Sequence, residues 1–208
     1  MKRLIIICEG ETEQEFCQDV LSPYFLSKEI AIEYPTIKKS NGGIVKWNML
    51  KRQIQSSLKQ DRGVFVSTFI DLYGLPTDYP DFDINNIEAI EQGMKKDIDA
   101  DLNYRFIPYI QRYEFECFLF ASLQVFTNNF KPEEADFNEL EKVIQAFPEN
   151  LEDINNSPDT APSKRLMSSI KGYHKIVYGT CLASEVGLTT IRQKCPRFNN
   201  WIIQLENI

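Results

Sequence analysis

Residues 4–13 read LIIICEGETE, and this stretch decides which kind of fold the chain takes. The apolar run from Leu4 to Cys8 is short, continuous and rich in isoleucine, which is typical of a strand buried on both faces. Three acids, Glu9, Glu11 and Glu13, follow it at once. The stretch therefore predicts a buried strand whose carboxyl end carries a group of carboxylates.

The first half of the chain alternates between strand-like and helix-like patterns. Apolar residues at helical spacing predict a helix from the Thr12 region to about Leu26, with Thr12 and Glu15 in the positions of a capping box. Further predictions are a strand over 30–37, a turn over 40–43, a helix over 45–58, a strand over 64–70, a helix over 85–100 and a strand over 104–111. This order predicts an α/β fold with a mostly parallel sheet flanked by helices.

Beyond Glu114 the pattern turns helical. We expect an α/β core over residues 1–122 and a helical C-terminal extension over 123–208, packed on the core as one compact unit. The loop at 155–161, NNSPDTA, is the best candidate for a boundary.

Composition narrows the class of protein. At 208 residues, with 43% hydrophobic residues, the chain is long and apolar enough for one well-buried domain. It shows neither a signal peptide nor a stretch of about 20 apolar residues, so we expect a cytoplasmic protein that makes no membrane contact. The cysteines occur singly and are interpreted as reduced core residues: Cys8, Cys17, Cys117, Cys181 and Cys195.

The chain contains a single histidine, His174. Zinc sites of the HExxH type need two histidines, and Ser-His-Asp hydrolysis needs one that is oriented by a carboxylate. An active site in this chain is therefore expected to consist mainly of carboxylates, Lys, Arg and Tyr.

The net charge of −7 is unevenly distributed. Residues 161–208 contain seven Lys or Arg and two acids, a net charge of +5, which leaves −12 on residues 1–160. An acidic, cation-binding half and a basic, phosphate-facing half would have this distribution. Ordinary solvated helix faces would produce it as well.

Acids follow several of the predicted strands. Glu9 and Glu13 come after the first strand, Asp71 after the third, and Glu114 and Glu116 after the fourth. The carboxyl ends of parallel strands meet at one edge of a sheet, where ligands bind. Crowded carboxylates repel each other unless they are protonated or bridged by a cation, and all-oxygen ligands suit Mg²⁺ or Mn²⁺. The alternative is that these acids only favour helix N-termini through the helix dipole.

Longer motifs point to a family. ICEGETEQEF resembles the first motif of Toprim domains, which occur in topoisomerases, bacterial primases and the overcoming-lysogenization-defect nucleases. The ordered set EGETE, FIDLYGLPTDYP, PYIQRYEFECFLF, APSKRL and IRQKCPRFNNWI resembles the bacterial Toprim-like domain-of-unknown-function family numbered 4276, over nearly the whole chain. The resemblance implies a Toprim-like, Rossmann-like fold.

The resemblance assigns roles to particular acids. Glu9 matches the glutamate of the first Toprim motif, Glu13 the second acid of the nuclease branch, and Asp71 the first aspartate of the second motif. Toprim enzymes usually have Asp-x-Asp there, whereas this chain has Asp71-Leu72-Tyr73. Either Glu114 or Glu116 replaces the missing acid, or the site holds only one metal. Tyr113 stands where the family commonly has histidine.

These residues support one leading hypothesis, metal-dependent hydrolysis of phosphodiester bonds in DNA or RNA. Glu9, Asp71 and a further acid would hold the metal, and Lys164 or Arg165 would stabilise the developing negative charge. Lys175 is a further candidate for phosphate contact. Alternatively, Ser163 caps a helix whose basic residues are merely solvated.

Two other functions stay open. The missing acid favours a non-catalytic regulatory or adaptor subunit that binds a partner protein or a nucleotide. A phosphatase with Asp71 as nucleophile lacks the usual second acid two residues on. The resemblance also implies action beside an ATPase in phage defence, since nucleases of this kind often have an ATPase partner.

Overall fold

The computed structural model describes residues 1–38, 43–155 and 157–208, and these form a mixed α/β protein with a parallel sheet flanked by helices. The predicted turn at 40–43 lies almost entirely outside the described residues. The strands are β1 (Lys2–Cys8), β2 (Ile30–Glu33), β3 (Val64–Asp71), β4 (Phe106–Ile107) and β5 (Ile110–Gln111).

The sheet has the order β2-β1-β3-β4, and β5 also pairs with β3. Every pairing is parallel. Since β1 and β3 lie side by side inside the sheet, Leu4, Ile6 and Ile7 are buried, as the apolar run predicts. The register pairs Cys8 with Phe69, so the two strands end at nearly the same height.

The helices largely follow the predicted spans. They are α1 (Glu11–Phe16), α2 (Ser22–Leu26), α3 (Trp47–Gln60), α4 (Ile87–Asp97), α5 (Leu123–Asn129), α6 (Phe137–Ala146), α7 (Pro162–Ser169), α8 (Lys175–Val186), α9 (Leu188–Lys194) and α10 (Pro196–Glu206). A π-helical segment, Cys17–Leu21, joins α1 to α2, so the predicted helix to Leu26 is continuous. The apolar stretch Phe115–Ala121 is a 3-10 helix.

Two local predictions need correction. The cap of α1 is Gly10, whose N–H donates to Glu13, rather than a Thr12 and Glu15 pair. The predicted fourth strand is split into β4 and β5, because Pro108 and Tyr109 interrupt it. Proline has no N–H to contribute to the ladder, which accounts for a break at this point.

The described residues form two compact units. Unit 1 comprises residues 1–111 and 202–208 and contains the whole sheet, and unit 2 comprises residues 112–201 and contains α5 to α9. The boundary expected from the sequence was residue 122. The structure instead begins unit 2 directly after β5.

No helix in the described part of the chain has the length and apolar character needed to cross a membrane.

Candidate functional site

Glu9 and Asp71 meet at the carboxyl edge of the sheet in unit 1. The Glu9 N–H donates to Phe69 O at 3.0 Å, which holds the residue beside the end of β3. The Asp71 N–H donates to Oε2 of Glu9 at 2.9 Å, and Asp71 is only 6% exposed. Glu9 and Asp71 thus lie together at the carboxyl edge of the sheet, whereas their role as ligands of a shared cation stays a prediction.

Glu13 supports the loop that carries Glu9. Its Oε2 accepts a hydrogen bond from the Gly10 N–H at 3.0 Å, and the residue is almost fully buried. Burial, a hydrogen bond to Cys17 and the nearby negative charges of Cys17 and Glu13 raise the pKa of the Cys8 thiol. Glu13 therefore lies close to the end of β1, where it fixes the turn into α1.

Two residues that sequence reasoning missed belong to the same region. Burial raises the pKa of Tyr79, and the negative charges of Asp78 and Glu9 raise it further. The Tyr79 hydroxyl donates to Val45 O at 3.1 Å, and Asp78 accepts from the Trp47 N–H at 3.2 Å, at the start of α3. The acid-rich loop TDYPDFD was the signal in the sequence that could have identified them. The spacing of apolar residues, however, does not show which acid of a loop points into the protein.

The acids of unit 1 have a donor set that suits a hard cation. Within residues 1–38, 43–155 and 157–208, no three His, Cys, Asp or Glu side chains are grouped so that they would hold a metal ion. Mg²⁺ is often bound by only one or two carboxylates, with water and substrate phosphate completing the octahedron. The Glu9 and Asp71 pair fits that smaller ligand set.

In unit 2, Glu114 holds the first turn of α7. Its two carboxylate oxygens accept hydrogen bonds from the backbone N–H and the hydroxyl of Ser163, at 2.9 and 3.0 Å. Ala161 at the N-cap cannot supply a side-chain acceptor, so Glu114 satisfies a donor that would otherwise lack a partner. Ser163 therefore acts as a hydrogen-bond donor inside the first turn of α7. The alternative in which Ser163 is the N-cap of this helix is wrong, because Ala161 occupies that position.

Glu116 is fully buried in the 3-10 helix and forms an ion pair with Lys175, whose Nζ lies 3.1 Å from Oε1. Burial raises the pKa of Glu116, while the ammonium of Lys175 opposes this and the charge of Glu114 adds to it. Burial and the charge of Glu116 also raise the pKa of Tyr173. Lys175, a predicted phosphate contact, is therefore placed against an acid of its own unit.

The two basic residues of the first turn of α7 differ in environment. Lys164 is exposed, whereas the Nε of Arg165 donates to Thr160 O at 2.7 Å. Lys164 is thus the more accessible of the two to an anionic ligand. The predicted proximity of Lys164 to the acids of unit 1, and that of Glu114 or Glu116 to Asp71, joins residues of different units and stays a prediction.

A second buried acid of unit 2, Glu152, was not foreseen. It is fully buried, and its carboxylate accepts from the backbone N–H groups of Arg197 at 2.7 Å and Phe198 at 3.2 Å, in the first turn of α10. Burial raises its pKa from 4.5 to about 6, although the Arg197 N–H and guanidinium oppose the rise. The sequence ENLED offers no signal that separates this acid from its exposed neighbours.

These features define the class of protein. It is a parallel-sheet α/β protein in which Glu9 and Asp71 lie together at the carboxyl ends of two neighbouring central strands. The chain belongs to the family described as Domain of unknown function (DUF4276), which it matches over residues 8–206. Among curated proteins and among solved structures, no protein matches it. The family expected from the motifs is confirmed.

Proposed function

We propose that the protein is a Toprim-like nuclease that hydrolyses phosphodiester bonds in nucleic acid with the help of Mg²⁺ or Mn²⁺. The observation that carries the proposal is the hydrogen bond from the Asp71 N–H to Glu9, at the carboxyl edge of a parallel sheet. Ligands bind at this edge in open α/β proteins. The motif resemblance supports the Toprim-like assignment of the sheet.

Glu9 and Asp71 would hold the cation, and Glu13 would keep the loop after β1 in place. When bound, the cation supplies Lewis-acid polarisation of the phosphate and helps to generate a nucleophile from water. Lys164, exposed on the first turn of α7, would stabilise the negative charge that develops on the phosphate. Glu114 and Glu116 already have partners in unit 2, so Glu9 and Asp71 are the preferred ligands.

By resemblance, the proposal extends to a cytoplasmic role in phage defence beside an ATPase partner. Its direct test is cleavage of single- and double-stranded DNA and RNA by the purified protein with Mg²⁺, Mn²⁺ or chelator. We expect metal-dependent cleavage that Asp71→Asn abolishes. Cleavage that persists in chelator, or none with any substrate, would contradict the proposal.

A second candidate is a non-catalytic adaptor of the same fold. Tyr73 stands where Toprim enzymes have their second acid, and Leu72 beside it is buried. This observation favours binding without catalysis. A protein that binds nucleic acid or nucleotide in the presence of Mg²⁺, but never cleaves it, would support the adaptor.

A further inference from the structure

Tyr73 lies two residues beyond Asp71 and is 47% exposed. Most large apolar side chains of unit 1 are buried in its core, including those on either side of this residue. Leu72 is 3% exposed and Leu75 is 6% exposed. A single exposed aromatic residue is ordinary on a protein surface. Whether Tyr73 has a role therefore depends on how firmly the backbone holds it and on how close it lies to the acid pair.

The backbone around Tyr73 is a closed turn. The Leu75 N–H donates to Leu72 O at 3.1 Å, and Gly74 has φ of +84°, which a type II turn requires at its third residue. The Leu72 N–H donates to Gln111 O at 2.9 Å, which ties the turn to the end of β5. Tyr73 is therefore displayed from an anchored turn whose buried neighbours fix it on both sides.

The turn lies next to the acid pair. Two residues of chain span at most about 7 Å, so the Cα of Tyr73 is within that distance of the Cα of Asp71. Asp71 in turn bonds the carboxylate of Glu9 through its N–H. A phosphate held at these acids would have its own nucleotide, or the adjacent one, within reach of the Tyr73 ring.

We propose that Tyr73 stacks on an unpaired base of the substrate, and that the substrate class is single-stranded nucleic acid. The inference rests on the proposed function, because it takes the acid pair as the place where the phosphate binds. Every base has a π-face, so stacking on an aromatic side chain tolerates any sequence. In a duplex both faces of a base are covered by neighbours, and exposing one costs a few kcal/mol.

The test measures binding in Ca²⁺, a cation that carboxylate oxygens also bind, with a short labelled thymidine oligonucleotide or its duplex with the complementary adenine oligonucleotide, and a gel of the bound sample checks that the oligonucleotide is intact. We expect Tyr73→Ala to weaken single-strand binding about tenfold and to leave duplex binding unchanged. Tyr73→Phe keeps the ring and should bind within about twofold of the wild type. The matched control is Tyr104→Ala, because Tyr104 is 63% exposed and stands before β4, at the opposite edge of the sheet.

Tyr73→Trp provides a second readout. Trp47 and Trp201 are both buried, so an exposed tryptophan at position 73 contributes a separate fluorescence signal. We expect single-stranded oligonucleotide to quench this added signal, while the duplex leaves it unchanged.

Each outcome decides between the two proposals. Loss of single-strand affinity in Tyr73→Ala supports the stacking role even if no cleavage is ever found, in which case the nuclease proposal alone fails. Equal affinity of wild type and Tyr73→Ala, or equal losses for single strand and duplex, overturns the stacking role even in an active nuclease. Absence of oligonucleotide binding by the wild type in Ca²⁺ overturns both proposals.

Discussion

The backbone nitrogen of Asp71 lies 2.9 Å from Oε2 of Glu9, although the two residues are 62 positions apart in the chain. The bond joins the carboxyl ends of two neighbouring parallel strands. It fixes the Glu9 carboxylate next to Asp71 without using either oxygen of the Asp71 side chain. A variant that keeps a hydrogen-bond acceptor at position 9 but lacks the negative charge therefore tests the charge of the site while its geometry is preserved.

Glu9→Gln is expected to weaken Mn²⁺ binding by at least about tenfold, because the amide can accept from the Asp71 N–H but carries no negative charge. Isothermal titration calorimetry with Mn²⁺ measures this directly. Glu15→Gln, at an exposed acid of α1, is the matched control and should bind like the wild type. Equal affinity of both variants would remove Glu9 from the metal site.

Lys164→Ala is expected to lower kcat about a hundredfold with little change in KM, since a group that contacts charge developing in the transition state acts on rate. Steady-state cleavage of the best substrate from the metal screen gives both constants. The control is Lys171→Ala, at another exposed lysine of unit 2. An unchanged kcat with a raised KM would make Lys164 a binding residue only.

Ser163→Ala should lower the free energy of unfolding by about 1 kcal/mol, because it removes the hydroxyl that donates to Glu114 at the start of α7. Urea denaturation followed by circular dichroism gives the value. Ser168→Ala, farther along the same helix and exposed, should change stability by less. If the two variants were equally stable, the Glu114 contact would contribute nothing measurable.

Glu152 predicts a pH dependence of stability. Its pKa in the folded protein, about 6, is above the ordinary 4.5, so the folded state holds the proton more tightly than the unfolded state. The contribution is fully present below pH 4.5 and is lost as the pH rises through about 6. The loss amounts to about 2 kcal/mol. In Glu152→Gln this part of the pH dependence should be absent.

Urea denaturation of the wild type and Glu152→Gln at several pH values from about 4 to about 8 tests this linkage. The difference in unfolding free energy between the two proteins should change over the window from 4.5 to about 6 and stay constant above it. A difference that is the same at every pH would show that Glu152 does not titrate there.

Lys175→Met should destabilise the protein by about 1 to 3 kcal/mol, because it leaves the carboxylate of the buried Glu116 without its ammonium. The value lies below that of a fully buried pair, since the Lys175 side chain is 41% exposed and partly solvated. The double variant Lys175→Met with Glu116→Gln should recover most of the loss in thermal unfolding. Additive losses would show that the two residues do not interact.

The sequence predicted well what depends on the pattern of apolar residues. The isoleucine-rich run of β1 and the apolar VFVSTFI of β3 indicate buried parallel strands, and the structure has both. Acids directly after these strands must lie at the same sheet edge, because parallel strands end together. The meeting of Glu9 with Asp71 could therefore be predicted without coordinates.

The partners of the acids in unit 2 could not be predicted in this way. Glu114 bonds Ser163 from 49 positions away, and Glu152 reaches Arg197 from 45 positions away. No local pattern encodes such pairs, since a buried acid and a solvated acid look alike in a sequence. The turn that displays Tyr73 could be predicted only in part. Gly74 marks a turn in the sequence, but the burial of Leu72 and Leu75 depends on how the sheet packs.

Unit 1 is assembled from two distant stretches of chain, residues 1–111 and 202–208, and Tyr24 in the first stretch hydrogen-bonds Glu206 in the second. On the ribosome, unit 1 must therefore wait for the synthesis of residues 112–201, which takes about 5 to 20 s at ordinary elongation rates. During that interval, the surface of unit 1 that residues 202–208 cover in the folded protein stays exposed. Ile202 and Leu205, buried in the folded protein, are synthesised after residues 1–111 of the same unit. Until they are made, the apolar surface that they cover in unit 1 stays exposed to solvent.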